Sequence, residues 1–184
     1  MYCYLVRHGK DDESIRGGWC DASLCEEGIM QVNQLVTELH HNQEFCVERI
    51  YSSDLKRAEE TAIILGNTLD VPVVFWFQFR EVNNGSLAGM KNDIAAIQYP
   101  GLYWSSLGWE ERYPNGESPK EFYERICLAW DALKNEIRNV NANVLLVTHG
   151  GVINVIQCIE HGREYSNKSN PYPVGYSGIV KIEI

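Results

Sequence analysis

Two histidines, His8 and His149, each follow a short apolar run and stand just before glycine, in Tyr2-Cys3-Tyr4-Leu5-Val6-Arg7-His8-Gly9 and Val144-Leu145-Leu146-Val147-Thr148-His149-Gly150-Gly151. A neutral imidazole is a nucleophile, so one such ring can attack phosphorus in line and carry a phosphoryl group until water removes it. A second ring can donate hydrogen bonds to the charge developing on the transferring oxygens. Planar guanidinium forks match phosphate oxygens, which makes Arg7 and Arg57 the candidates for gripping the group. Backbone N–H groups at the start of a helix after Gly150-Gly151 would add to that attraction. A departing alkoxide also needs a proton, and Glu81, just ahead of a glycine-rich loop, is the candidate donor.

Such a constellation needs strands that end where the histidines begin. Both apolar runs read as buried strands, and glycine lets the chain turn sharply after each. In an open α/β sheet, ligands bind outside the carboxyl ends of the strands, which is where His8 and His149 would then lie. The spacing of Ile29, Val32, Leu35, Val36 and Leu39 predicts a helix from Glu26 to about Asn42. A strand over Val47 to Tyr51 follows, then a helix capped by Asp54, with Arg57 in its first turn and Gly66 near its end. Val71 to Phe77 alternates as a strand, Asn83 to Gly89 is loop, and Met90 to about Tyr99 reads as a short helix. Ser118-Pro119-Lys120-Glu121 is a capping box with proline in the first turn, opening a helix to about Arg138. A helix from about Val152 to His161 and a strand from Ile179 to Ile184 close the chain. Strand–helix alternation of this kind predicts a three-layer α/β/α sandwich with a mostly parallel central sheet, in one domain spanning 1–184.

Composition narrows the partners. A net charge of −9 argues against broad nucleic-acid binding, so an anion site must be built locally against the field of the whole protein. No apolar run approaches membrane-spanning length, and the amino terminus has no charged segment leading into an apolar one, so the expectation is a cytoplasmic protein with no membrane partner. The six cysteines form no CxxC pair and no zinc-ligand spacing, and read as reduced thiols, several of them in the core.

The chain resembles the histidine phosphatase superfamily, the group containing phosphoglycerate mutases and many small phosphatases. The resemblance rests on Leu5-Val6-Arg7-His8-Gly9, Gly18-Trp19 with Asp21 and Leu24, Ser52-Ser53-Asp54-Leu55-Lys56-Arg57-Ala58, Glu81 with Gly85 and Gly89, Asn115-Gly116-Glu117-Ser118, and Val147-Thr148-His149-Gly150-Gly151. It implies a phosphoglycerate mutase-like fold, His8 as the phosphorylated nucleophile and Glu81 as proton donor. Arg7, Arg57 and His149 would complete the phosphate pocket, with Gly150 at its edge and neither metal nor cofactor. It further implies that residues 82–118 form an insertion covering the site. The aromatic residues Tyr99, Tyr103, Trp104, Trp109 and Tyr113 there can line a substrate cleft or simply pack beneath the loop.

Several positions depart from the family pattern, among them the run Gly85-Ser86-Leu87-Ala88-Gly89 after the acid and two positions beside the pocket. Ser14 stands where asparagine is usual and would give phosphate one hydrogen bond, while Asp11 replaces a hydroxyl residue and brings negative charge to an anion site. The implied reaction is hydrolysis of a small phosphorylated metabolite, since the chain lacks the long insertion and tail with which mutases of the family retain a bisphosphate. A phosphoglycerate-type mutase and a catalytically idle module that binds phosphorylated ligands are the alternatives.

Overall fold

The structure is a computed structural model and describes residues 1–42 and 45–184. Its sheet contains β1 (Tyr2–Arg7), β2 (Arg49–Ser52), β3 (Val73–Phe75), β4 (Val144–Thr148) and β5 (Ile179–Glu183), in the spatial order β3-β2-β4-β1-β5. β1 to β4 are mutually parallel, and β5 pairs antiparallel along the outer edge of β1. The helices are α1 (Glu26–His41), α2 (Lys56–Leu69), α3 (Asn92–Gln98), α4 (Pro119–Val140) and α5 (Gly150–Glu160).

Alternating side chains of the central strands fill two cores. Tyr4, Val6, Leu145 and Val147 pack with Val32, Leu35, Ala58 and Leu65 of α1 and α2. Cys3, Leu5, Val144 and Leu146 pack on the other face with Ile126, Trp130, Val152 and Ile156 of α4 and α5. Strands buried on both faces read as continuous apolar runs, which is why β1 and β4 were so plain in the sequence. The arrangement is the expected three-layer sandwich.

β4 lies between β1 and β2, so chain order and spatial order diverge there. From β1 the chain crosses toward β2 over one face, whereas from β4 it returns toward β5 over the other. A reversal of that kind opens a crevice at the carboxyl ends of the two strands.

Several boundaries move from their expected places. The second strand covers Arg49–Ser52 rather than Val47 to Tyr51. The third is cut to Val73–Phe75, after which the chain coils through Phe77–Phe79 and buries Phe79 completely, its ring stacked on Trp76 at 5.8 Å between centroids. Leu55, not Asp54, occupies the cap position of α2, and no side chain caps it. Asp54 instead takes both Nε and Nη2 of Arg80 at 2.6 Å, a charge-assisted fork stronger than a single bond to a backbone N–H. The capping box of α4 forms as read, with Glu121 N–H on Ser118 Oγ at 3.2 Å and Ser118 N–H on Glu121 Oε2 at 2.9 Å.

Candidate active site

Parallel pairing sets Arg7 beside Thr148, so the residue after each strand falls at the same edge of the sheet. The His8 N–H donates to the Thr148 carbonyl at 3.0 Å, locking the two turns together. As a result the rings of His8 and His149 face each other with centroids 5.0 Å apart. Both rings are buried.

Hydrogen bonds decide which nitrogen of His8 is free. Nδ1 lies 2.7 Å from the Gly9 carbonyl, an oxygen that only accepts, so Nδ1 carries the proton. Nε2 then presents a lone pair, and Arg57 Nε–H points at it from 3.3 Å. Gly9 is needed for this turn, since a Cβ there would come within 2.6 Å of the Gly28 carbonyl of α1. Burial holds the His8 pKa well below its ordinary value, and Arg57 lowers it further. His149 shifts the same way, mainly through burial and then through Arg57. Both rings are therefore neutral at neutral pH.

His149 Nε2 meets Ser53 Oγ at 2.8 Å, and Ser53 Oγ itself accepts the Leu55 N–H at 3.3 Å. When the Ser53 hydroxyl donates to Nε2, the proton of His149 stays on Nδ1, a buried nitrogen with no hydrogen-bond partner among the described residues. Such an orphaned donor in a cluster of cations suits an oxyanion.

The arginines converge on the same point. Arg57 reaches over from the first turn of α2 and is buried, with Nη1 on the Cys20 carbonyl at 3.1 Å and Nη2 on that of Gly18 at 2.8 Å. Arg7 gives Nη1 to the Val174 carbonyl at 2.8 Å, and its guanidinium lies 3.9 Å above the Tyr176 ring. Its Nε is buried and has no hydrogen-bond partner among the described residues. Gly150 begins α5 next to Arg7, where a Cβ would sit 3.6 Å from Arg7 Nε.

Glu81 enters from the segment after β3. Its Oε2 accepts the Gly151 N–H at 3.1 Å and its Oε1 the Val82 N–H, also at 3.1 Å. The carboxyl is thereby pinned to the first turn of α5, one residue beyond Gly150.

Ser14 does not join this cluster. It is exposed, its N–H bonds Asp12 Oδ1 at 2.9 Å, its hydroxyl also bonds Asp12, and its carbonyl accepts from Asn92. Asp11, by contrast, turns inward, with Oδ2 at 3.4 Å from Arg57 Nε. Lys10 is committed to Glu27 at 2.7 Å and Glu13 at 3.5 Å. Among the aromatics of residues 82–118, Tyr113 packs with Leu87 and Leu107 in a small core that Tyr99 and Trp104 adjoin. Trp109 meets Tyr123 and Tyr165, and Tyr103 lies under Arg16.

Sequence reasoning missed Arg125. From α4 it grips the carbonyls of Gln78, Arg80 and Glu81 at 2.6, 3.0 and 3.1 Å, and both Glu117 oxygens at 2.7 and 2.9 Å. It thus fixes the backbone that carries Glu81. The available signal was its position three residues after Phe122 and four before Ala129, on the buried stripe of the helix, where an arginine needs partners. Among the described residues no group of three or more His, Cys, Asp or Glu side chains is arranged to hold a metal ion, and no helix is long and apolar enough to cross a membrane.

Two facing histidines, two arginines and a pinned carboxyl at a crevice of a mostly parallel sheet define a phosphoryl-handling enzyme of the histidine phosphatase type. Residues 3–184 match the histidine phosphatase superfamily (branch 1), and the chain belongs to that family. It is 28% identical to a putative phosphoserine phosphatase 2 of Hydrogenobacter thermophilus, covering 98% of this chain and 88% of that one. It is 32% identical to a metal-independent phosphoserine phosphatase of Arabidopsis thaliana, over 83% of this chain and 65% of the relative. In structure it is similar to the α-ribazole phosphatase of Shigella flexneri, with a TM-score of 0.84, 23% identity, and coverage of 100% of this chain and 91% of the other.

Proposed function

We propose that the protein hydrolyses phosphate monoesters of small metabolites through a phosphohistidine on His8, with no metal ion taking part. The observation that carries this reading is the His8 ring itself. Nδ1 is tied to the Gly9 carbonyl, and the Nε2 lone pair is aimed at a point flanked by Arg57 and His149.

The Nε2 lone pair forms the bond to phosphorus as the bridging P–O bond breaks. Arg7, Arg57, His149 Nδ1 and the Gly150 amide hold the non-bridging oxygens, and Glu81 gives its proton to the leaving alkoxide. Water then attacks phosphorus, the P–N bond breaks, Glu81 recovers a proton from that water, and phosphate departs. Residues 82–118 border this crevice through bonds to the loop after β1, including Arg16 N–H to the Met90 carbonyl at 2.8 Å and Asn92 N–H to the Ser14 carbonyl at 2.9 Å. In this reading they form its cover.

The test is phosphate release from an aryl phosphate and a panel of phosphorylated metabolites, with phosphoserine first because the relatives' names point to it. Wild type runs beside His8→Ala with a chelator present throughout. Turnover that survives the chelator and is lost in the variant is the expected result. Activity persisting in His8→Ala sinks the mechanism. Phosphoryl transfer between substrates only after priming by a bisphosphate would mean a mutase.

A further inference from the structure

Asp11 brings a second carboxylate up to the phosphate-binding arginines. Its side chain is only 11% exposed, and its position is set by a backbone bridge to Leu24. Oδ2 lies 3.4 Å from Arg57 Nε, the same N–H that points at His8 Nε2. The rest of the Arg57 fork is occupied by the carbonyls of Gly18 and Cys20. Nε–H is therefore where nucleophile, carboxylate and incoming phosphoryl oxygen all compete.

The groups facing Asp11 are Arg57 from α2, Arg7 and His8 at the end of β1, Glu13 on its own loop, and Tyr176 from the loop before β5. Neighbouring Lys10 is paired with Glu27 and Glu13. Burial raises the Asp11 carboxyl above its ordinary value although Arg57 and Arg7 pull it down. An oxygen bonded to Arg57 Nε at about 2.9 Å would lie no more than about 6.3 Å from Asp11 Oδ2. Two anionic groups that close in a desolvated pocket repel, and the carboxylate is the one that can be neutralised.

We propose that Asp11 takes up a proton when a phosphoryl group enters the pocket, so that phosphate binding is proton-linked and weakens as the pH rises. This rests on the phosphomonoesterase reading above. Before phosphate binds, the Asp11 carboxylate is ion-paired with Arg57 Nε, whose N–H points at the nucleophile His8 Nε2. When phosphate binds, Nε–H passes to a phosphoryl oxygen, and the protonated carboxyl donates a hydrogen bond where a carboxylate would repel. When phosphate leaves, Asp11 releases its proton and takes Arg57 back. Asp11 is thus a positioning residue for Arg57 that also sets which charge state of the pocket accepts substrate.

The experiment is titration calorimetry of inorganic phosphate into wild type and Asp11→Asn over about pH 5 to 9, in buffers of different ionisation enthalpy. Titration of phosphate and of the two histidines is common to both proteins, so the ratio of their dissociation constants isolates Asp11. The expected ratio of wild type to variant climbs by up to about tenfold per pH unit and then levels, with wild type taking up to one proton more on binding. The same pH-dependent ratio is expected in KM. Asp11→Ser replaces the Asn variant if that one does not fold. A ratio independent of pH, with equal proton uptake, overturns the role of Asp11 alone. Phosphate binding to neither protein at any pH overturns this role and the phosphomonoesterase reading together.

Discussion

The chemistry comes down to single atoms with a defined proton. His8 Nε2 is free because the Gly9 carbonyl claims Nδ1–H, and both imidazoles stay neutral because burial and arginines disfavour the charged form. Glu81 accepts one N–H on each oxygen, yet each carboxyl oxygen has a second lone pair on which the acid's proton can ride. Glu81→Gln keeps the shape of the side chain and removes that proton. It is expected to lower kcat for alkyl phosphates by roughly 10²–10⁴-fold and far less for aryl phosphates, whose leaving groups need little protonation. Steady-state rates on the two ester kinds check this, and equal losses would mean that another group is the acid. Most of these atoms were legible in the sequence because His8, His149 and Arg7 adjoin buried strands. Ser14 was misplaced because Asp12, two residues before it, binds it locally.

Secondary elements deliver these atoms through their ends. α5 starts at Gly150 with its second residue donating to Glu81, and a methyl at Gly151 would overlap Glu81 Oε1. Gly151→Ala is thus expected to push the Glu81 carboxyl, the proposed acid, away while leaving the helix itself as stable or slightly more so. The measurable consequence is a drop of roughly tenfold or more in kcat on alkyl phosphates with little change on aryl ones. An unchanged alkyl-to-aryl ratio would show that the carboxyl relocates without cost. Arg125 works at the same scale, since one guanidinium of α4 ties down the backbone on both sides of residue 80. The capping box of α4 was readable because its two bonds span four consecutive residues. The Asp54–Arg80 fork joins residues 26 positions apart, beyond any local pattern, and it displaced the expected cap.

At the scale of the whole molecule, the buried imidazoles link stability to pH. Unfolded histidine gains a proton as pH falls below about 6.5, whereas the folded rings resist, so stability is complete above that pH and declines below it. The slope is up to about 1.4 kcal/mol per pH unit for each ring. Asp54, held below its ordinary value by Arg80, adds to the loss only in more acid solution. Urea unfolding of wild type and a His8→Gln, His149→Gln double variant between about pH 7 and 5 checks this, with a flatter profile expected for the variant. Equal slopes would assign the acid sensitivity elsewhere. By itself the sequence determined the two buried strands, the helix stripes and the capping box of α4, because periodicity and local capping depend on near neighbours, and its motifs marked His8, Arg7, Arg57, Glu81 and His149 as candidates. Only the tertiary structure decided that β4 lies between β1 and β2, which brings residues 141 positions apart into facing rings. It also decided the proton on His8, the grip of Arg125 and the inward turn of Asp11. Strand order and buried polar pairing are set by which faces exclude water together, and that competition is settled among distant parts of the chain at once.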